Sequence, residues 1–333
     1  MKEVVNPQEL NKFLNSYYLL KKYCDKKGTL IMFLLFFMKC YNSREFMNEE
    51  IKTNINWFPG HMKKTIIKIE ESLKMVDFVI EVIDSRAPIS SQNYYIEQVI
   101  NKKPILYVLT KKDLCDTSET NKWVNYFNSN GNKAILVNLK TQKDYNLIID
   151  KMMEFCKEKE KKMEKKGLKN VLTKAIIVGI PNVGKSTIIN FIAKKCITKV
   201  ANIPGYTRNV RWVKVNNLML LDTPGVLQPQ FEDRIKGINL GLIGSIKEQV
   251  LPIEDLTDYC LNFLKKNHLS DLINKYKLKN VSTNQIILQE IAKNRGFLLK
   301  NNELDINKAS LILLNEFKNG AICKYTLDKF NLC

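Results

Sequence analysis

A chain of 333 residues with 45% apolar side chains has material for a sizeable core and about two domains. Its formal net charge of +19 points to a polyanionic partner, nucleic acid or an anionic membrane surface, with a lysine-rich compositional bias as the plainer alternative. Its eight cysteines form no C-x-x-C pair, which argues against a zinc site and a disulfide framework and makes a reducing compartment the default.

Residues 1–52 carry little pattern and form the first segment, a possible targeting extension. Lys21, Lys22, Lys26 and Lys27 precede an apolar run from Leu30 to Met38, too short to span a bilayer as a helix. No clear small-residue cleavage site accompanies it, so an organelle-targeting extension and an N-terminal helix packed on the next domain both stay open. From Thr53 the pattern sharpens. Trp57-Phe58-Pro59-Gly60-His61-Met62 reads as a turn, and Ile66, Ile69, Leu73 and Val76 form a helical stripe behind it. Strands are expected at 78–83, ending in Asp84-Ser85-Arg86-Ala87-Pro88, at 105–109, ending in Thr110-Lys111-Lys112-Asp113, and at 134–137. Trp123, Tyr126 and Phe127 sit on a helix. Residues 145–166 are helical, and the charged run Lys157–Lys169 reads as a solvated face or linker.

The strand Ala175-Ile176-Ile177-Val178 leads into Gly179-Ile180-Pro181-Asn182-Val183-Gly184-Lys185-Ser186, followed by Thr187 and a helix with Ile188, Ile189 and Ile192. This is G-x-x-x-x-G-K-[ST] between strand and helix, a P-loop. The run Pro181–Thr187 is the candidate phosphate cradle. Lys185 would reach the β- and γ-phosphates, and Ser186 would hold Mg²⁺. A hairpin, Arg211–Val215 with Leu218–Leu221 around Asn216-Asn217, ends in Asp222-Thr223-Pro224-Gly225. Asp222 would hold Mg²⁺ through water, and the Gly225 N–H would face the γ-phosphate. Thr207 lies between the two phosphate motifs and is the candidate further Mg²⁺ ligand. After about residue 230 strand signals stop. Helices are expected near 233–247, 253–266, 283–294 and 305–318, the last opening at Asp305 with Gly320 just past its end.

Thr110-Lys111-x-Asp113 resembles the guanine-reading motif of GTPases. The Asp113 carboxylate can accept two N–H bonds that adenine does not offer, so GTP is the expected nucleotide. Lys111 is expected to lie along the base and tie back to the P-loop. The stretch Val137-Asn138-Leu139-Lys140 holds the place of the second guanine loop, with Asn138 as its candidate contact, but lacks the usual Ser-Ala signature.

The order of motifs is unusual: the base reader comes first, then the P-loop, then the Asp222 motif. With Trp57–Met62, Asp84–Pro88, Phe231-Glu232-Asp233, Arg295-Gly296 and Phe317, this ordered set resembles the circularly permuted YlqF/YawG GTPases, in the branch of ribosome biogenesis GTPase A and its mitochondrial relatives. The resemblance covers about residues 54–328. It implies an α/β fold: a circularly permuted Ras-like P-loop GTPase domain, residues 53–229, with a C-terminal all-helical domain, residues 230–333, that binds rRNA or ribosome. It implies GTP hydrolysis, stimulated by the ribosome, in maturation of the large ribosomal subunit. Val226 stands where Ras-type enzymes place a water-orienting glutamine, so slow intrinsic turnover is expected. The resemblance suggests His61 for that role, a surface turn histidine being the alternative. Asn182 stands where potassium-activated GTPases help bind K⁺; a turn-stabilising asparagine is the alternative. A mitochondrial location is expected, with another organelle or the cytoplasm as alternatives. No obligate oligomer is expected. A membrane-associated signalling GTPase with peripheral contact through Leu30–Met38, and a nucleotide-sensing module with little turnover, are the competing functions.

Overall fold

Strand β1 (Phe78–Asp84) is buried along its whole length. It is flanked on both sides by parallel strands, β2 (Ile105–Thr110) and β4 (Thr173–Val178), which explains why its sequence reads as an almost unbroken apolar run. β3 (Lys133–Leu136) extends the sheet beyond β2, and β6 (Leu218–Asp222) extends it beyond β4. β5 (Arg211–Val215) closes the far edge as an antiparallel partner of β6, joined through Asn216 at φ 51°. The order across the sheet is β3-β2-β1-β4-β6-β5. Counted from β4, with β1 following β6, the same sheet reads 6-5-4-1-3-2. The P-loop strand is then the central first strand, as a circular permutation requires. The computed structural model describes residues 60–330 except 94–95, 97–98, 101–102, 170, 196–210, 228–232, 247–250 and 301. The expectations for residues 1–52, for Trp57–Pro59 and for Thr207 lie outside the described residues.

Alternate residues along the strands feed opposite faces. On one face, Val79, Ile176, Val178 and Leu221 meet Ile66, Ile69 and Leu73 of α1 (Gly60–Leu73). On that face's outer part, Ile83, Tyr107 and Leu109 meet Phe127 of α2 (Thr117–Ser129). On the other, Ile80, Val82, Val108 and Ile177 meet Ile148 and Met152 of α3 (Gln142–Glu164) and Ile188 and Ile192 of α4 (Lys185–Lys195). Thr141 caps α3 by accepting from Asp144 N, and Lys161 and Lys162 lie in its last turn, where cations suit the helix dipole.

The apolar cluster on the α3–α4 face does not stop at the sheet. It continues through Leu240, Cys260, Leu264, Ile291, Phe317 and Tyr325. These belong to α5 (Arg234–Leu242), α6 (Ile253–Asn267), α8 (Asn284–Arg295), α9 (Ile306–Lys318) and the tail behind it. One further helix, α7 (Leu269–Tyr276), stands where the sequence pattern announced none. Its start at His268 has no side-chain cap, and it ends on Lys277 at φ 55° rather than on a glycine. The neighbouring ends follow ordinary capping chemistry. Thr283 accepts from Ile286 N, Asp305 accepts from Lys308 N, and Gly296 ends α8 in the left-handed region. Such side-chain caps are worth about 1 kcal/mol each.

Candidate nucleotide-binding site

The register aligns the carboxyl ends of the parallel strands, pairing Asp84 with Thr110 and Ile177 with Asp222. The loops leaving β1, β2, β3, β4 and β6 therefore gather at one edge, where open α/β sheets bind ligands. A cavity of about 290 Å³ opens there. Pro181, Asn182, Lys185 and Ser186 of the P-loop line one wall, and Asp222, Thr223, Pro224 and Gly225 line the other.

Lys185 is buried, and its Nζ donates to the carbonyls of Gly179 (2.9 Å) and Ile180 (2.7 Å). Burial pushes its pKa down to about 8, against the pull of Asp222, which favours the charged form. Phosphate oxygens arriving in this cavity would offer the ammonium stronger acceptors than its own loop does. Gly225 packs so closely on the P-loop that a Cβ there would lie 2.9 Å from Pro181 Cα and 3.0 Å from Lys185 Nζ. Only glycine allows that approach. The Ser186 hydroxyl is exposed and the Asp222 carboxylate half-buried on facing walls of the cavity. Two hard oxygen donors beside a phosphate site fit Mg²⁺, and these residues would hold it there. When bound, the ion neutralises charge on the phosphates.

The loops after β2 and β3, expected on the base side, meet beside the P-loop. The Thr110 hydroxyl donates to the Val183 carbonyl at 2.6 Å and lies 3.2 Å from Ile83 O. Thr110, and not Lys111, is thus the tie from the Thr110–Asp113 loop to the P-loop. Lys111 instead pairs with Asp84 at 2.8 Å, because β1 and β2 end side by side and the Asp84 carboxylate is fully buried between them. Burial alone would raise the Asp84 pKa, but Arg86 and then Lys111 outweigh it and hold this carboxyl well below the usual carboxylate range. Asp113 is half-buried and accepts from Lys140 Nζ at 2.7 Å. Lys112 N donates to Val137 O, which joins the two loops through their backbones. Asn138 uses its carboxamide oxygen on Lys140 N, a local turn. The residue of that loop which reaches the P-loop is Leu139: its Cδ1 would lie 2.7 Å from a Cβ at Gly184, which sits at φ 104°. Leu139 lies in the stretch expected here, but an apolar residue after a strand carries no chemical signal of such a contact.

Val226 is completely buried. Its N–H donates to Gly179 O at 3.3 Å, and its carbonyl accepts from Asn93 Nδ2 at 2.9 Å. Asn182, at φ 62°, is exposed on the cavity rim and donates from Nδ2 to the Gly244 carbonyl, just past α5, at 2.9 Å. Thr187 is exposed behind the loop in the first turn of α4. His61 is the second residue of α1; its side chain lies outside the described residues. Among the described residues, no helix is long and apolar enough to cross a membrane.

Residues 174–312 match the family described as 50S ribosome-binding GTPase. Over 82% of this chain and 93% of its own length, ribosome biogenesis GTPase A of Bacillus cereus is 41% identical. Mitochondrial ribosome-associated GTPase 1 of Mus musculus is 30% identical over 82% of this chain and 90% of its own. The GDP-bound structure of TM YlqF superposes with a TM-score of 0.54 at 25% identity, covering 79% of this chain and 98% of that one. The fold is that of a circularly permuted P-loop GTPase, and the chain belongs to the ribosome biogenesis GTPase A family.

Proposed function

We propose that this GTPase assists assembly of the large ribosomal subunit, and that the GTP state of residues 53–229 sets how residues 230–333 meet rRNA. The observation that carries this reading is the contact of Gly225 with Pro181 and Lys185. A γ-phosphate seated on Lys185 has to part Gly225 from the P-loop. That shift has a short route into α5, which begins at Arg234, nine residues on. Asn182 holds the other end of α5 through Gly244. The names of the relatives, which speak of ribosome biogenesis and of mitochondrial ribosome association, support the partner.

In this reading Pro181–Thr187, Thr207 and Gly225 bind the phosphates, and Thr110, Lys111, Asp113 and Asn138 serve the base. Ser186, Thr207 and Asp222 serve Mg²⁺. Val226, buried with both backbone groups engaged, is not available to orient water. His61 is assigned that task, with K⁺ held at Asn182. The exposed lysines Lys157, Lys161 and Lys162 of α3, and Lys165 and Lys166 just past its end, are assigned to rRNA phosphates together with basic groups of the helical array. Mitochondrion is the proposed compartment, resting on the mouse relative; imaging of the tagged chain outside mitochondria would overturn it.

The experiment is co-sedimentation with large ribosomal subunits in GDP and in a non-hydrolysable GTP analogue, over a range of salt. Tighter binding with the analogue, weakening steeply as salt rises, is expected. Equal affinity in the two nucleotides would remove the switch, and a flat salt response would point to protein contacts instead of rRNA.

A further inference from the structure

The Arg86 guanidinium is buried, and each of its donors is used. Nε and Nη2 donate to the two oxygens of Asp84 at 2.9 and 2.7 Å. Nη2 also donates to Ile243 O, at the C-terminal end of α5, at 2.9 Å. Nη1 donates to Lys318 O, the last residue of α9, and to the Tyr325 hydroxyl. A cation is thus set against the carbonyl ends of two helices, where the helix dipole favours it. On its other side, the Asp84 oxygen that Arg86 Nη2 binds is shared with Lys111 Nζ. One buried carboxylate therefore joins the base-reading lysine to the helical array.

The chain's last segment reinforces the same loop. Residues 324–330 run back across the ends of the strands. Tyr325 N donates to Leu114 O, one residue past Asp113, and the Thr326 hydroxyl lies 2.9 Å from that of Thr120 and 3.3 Å from Asp116 O. Leu327 N donates to Arg86 O, and Phe330 N donates to Glu119. Asp328 is anchored by Ile89 N, by Ser90 through its N–H and hydroxyl, and by Asn239 Nδ2. Leu114 itself meets Gly320, where a Cβ would lie 3.0 Å from its Cδ2.

We propose that Arg86 and the segment Lys324–Phe330 form a clamp that positions the guanine-reading loop, so that docking of the helical array sets how tightly guanine is held. The clamp rests on the assignment of Thr110–Asp113 to the base. Arg86 is a positioning residue in it: it acts on Lys111 through Asp84. If α5, α9 and Tyr325 withdraw, Arg86 loses three of its bonds inside a buried site, and the Asp84–Lys111 pair loses its fixed geometry. Binding is reciprocal, so a partner that pulls the array away weakens guanine retention by the same factor by which bound guanine resists the pull. This coupling runs from the base, which GTP and GDP share, and is separate from any signal carried by the γ-phosphate.

The test uses two full-length variants. Arg86→Lys keeps a charge for Asp84 but is too simple in shape to span both helix ends. Thr326→Val removes one hydroxyl of the clamp at nearly constant shape. Release of fluorescent GDP is followed by chase, and affinities for GDP and for IDP, which lacks the 2-amino donor, are compared. The wild type should prefer GDP. Arg86→Lys should release GDP about tenfold faster, Thr326→Val less so, and in both the preference for GDP over IDP should shrink. A preference unchanged in both variants overturns the clamp, even if affinity falls, because general loss of stability weakens both nucleotides alike. If Arg86→Lys does not fold, Thr326→Val alone decides. If the wild type shows no preference for GDP over IDP or ADP, the assignment of the base site itself has failed.

Discussion

The Thr110 hydroxyl donates across 2.6 Å to the carbonyl of Val183, joining the Thr110–Asp113 loop to the P-loop 73 residues later in the chain. The group is fully buried. Removing it leaves the Val183 carbonyl without this donor, at a cost of about 1–3 kcal/mol. Thr110→Val should therefore weaken GDP binding about tenfold or more, while Thr110→Asn, which retains a donor, should stay near wild type. Titration with fluorescent GDP reads both. Equal affinity in the valine variant would mean that the two loops hold together without this bond.

Lys185 should make nucleotide binding depend on proton uptake. Burial pushes its pKa down from 10.5 to about 8. A bound polyphosphate favours the charged form and raises it again. Between those two values the free protein carries fewer protons at Lys185 than the complex, so binding takes up protons and weakens as pH rises. Calorimetry in buffers of different ionisation enthalpy should show uptake that grows from about pH 7 to about pH 9. Proton release throughout that range would contradict the assignment. The same shift has a consequence for the free protein: between about 8 and 10.5 the unfolded chain binds more protons, so stability gains from this group as pH rises there.

Val226 occupies the position of a water-orienting glutamine without access to the cavity. It is completely buried and held through Gly179 and Asn93. Val226→Gln should not speed GTP turnover. It should instead cost about 1–3 kcal/mol of stability, because an amide is buried without partners. Phosphate release and thermal melting check the two statements together. A large gain in turnover would show that this segment swings outward with nucleotide bound.

The sheet was legible because buried parallel strands must be apolar along their length, as β1 and β4 are, and because the glycines, Lys185 and Asp222 occur at fixed distances from strand ends. The Thr110–Asp113 loop stood out through Asp113, a carboxylate whose expected task is to read the base. Other features carry no such signature. Arg86 belongs to a motif of the resemblance, Asp84–Pro88, but its partners at the ends of α5 and α9 lie more than 150 residues later and cannot be read from that motif. Leu139 gives only an apolar letter. Lys111 was expected to tie back to the P-loop; its partner is instead Asp84, a pairing set by the alignment of β1 with β2 that no spacing in the sequence displays. α7 escaped because Lys277, not glycine, takes the left-handed conformation at its end.

Asn182 carries two assignments that its own two ends can separate. Its Nδ2 donates to Gly244 O, and its carboxamide oxygen is the end that suits K⁺. Asn182→Ala removes both; Asn182→Asp keeps an oxygen but has no N–H for Gly244. Turnover with large ribosomal subunits is measured in KCl and in NaCl for the three proteins. Stimulation by K⁺ should vanish in Asn182→Ala and persist in Asn182→Asp. The difference in ribosome affinity between GDP and the GTP analogue should shrink in both, since an exposed hydrogen bond of this kind is worth about 0.5–1.5 kcal/mol and both variants lack it. Equal K⁺ stimulation in wild type and Asn182→Ala would leave Asn182 only its tie to the turn after α5.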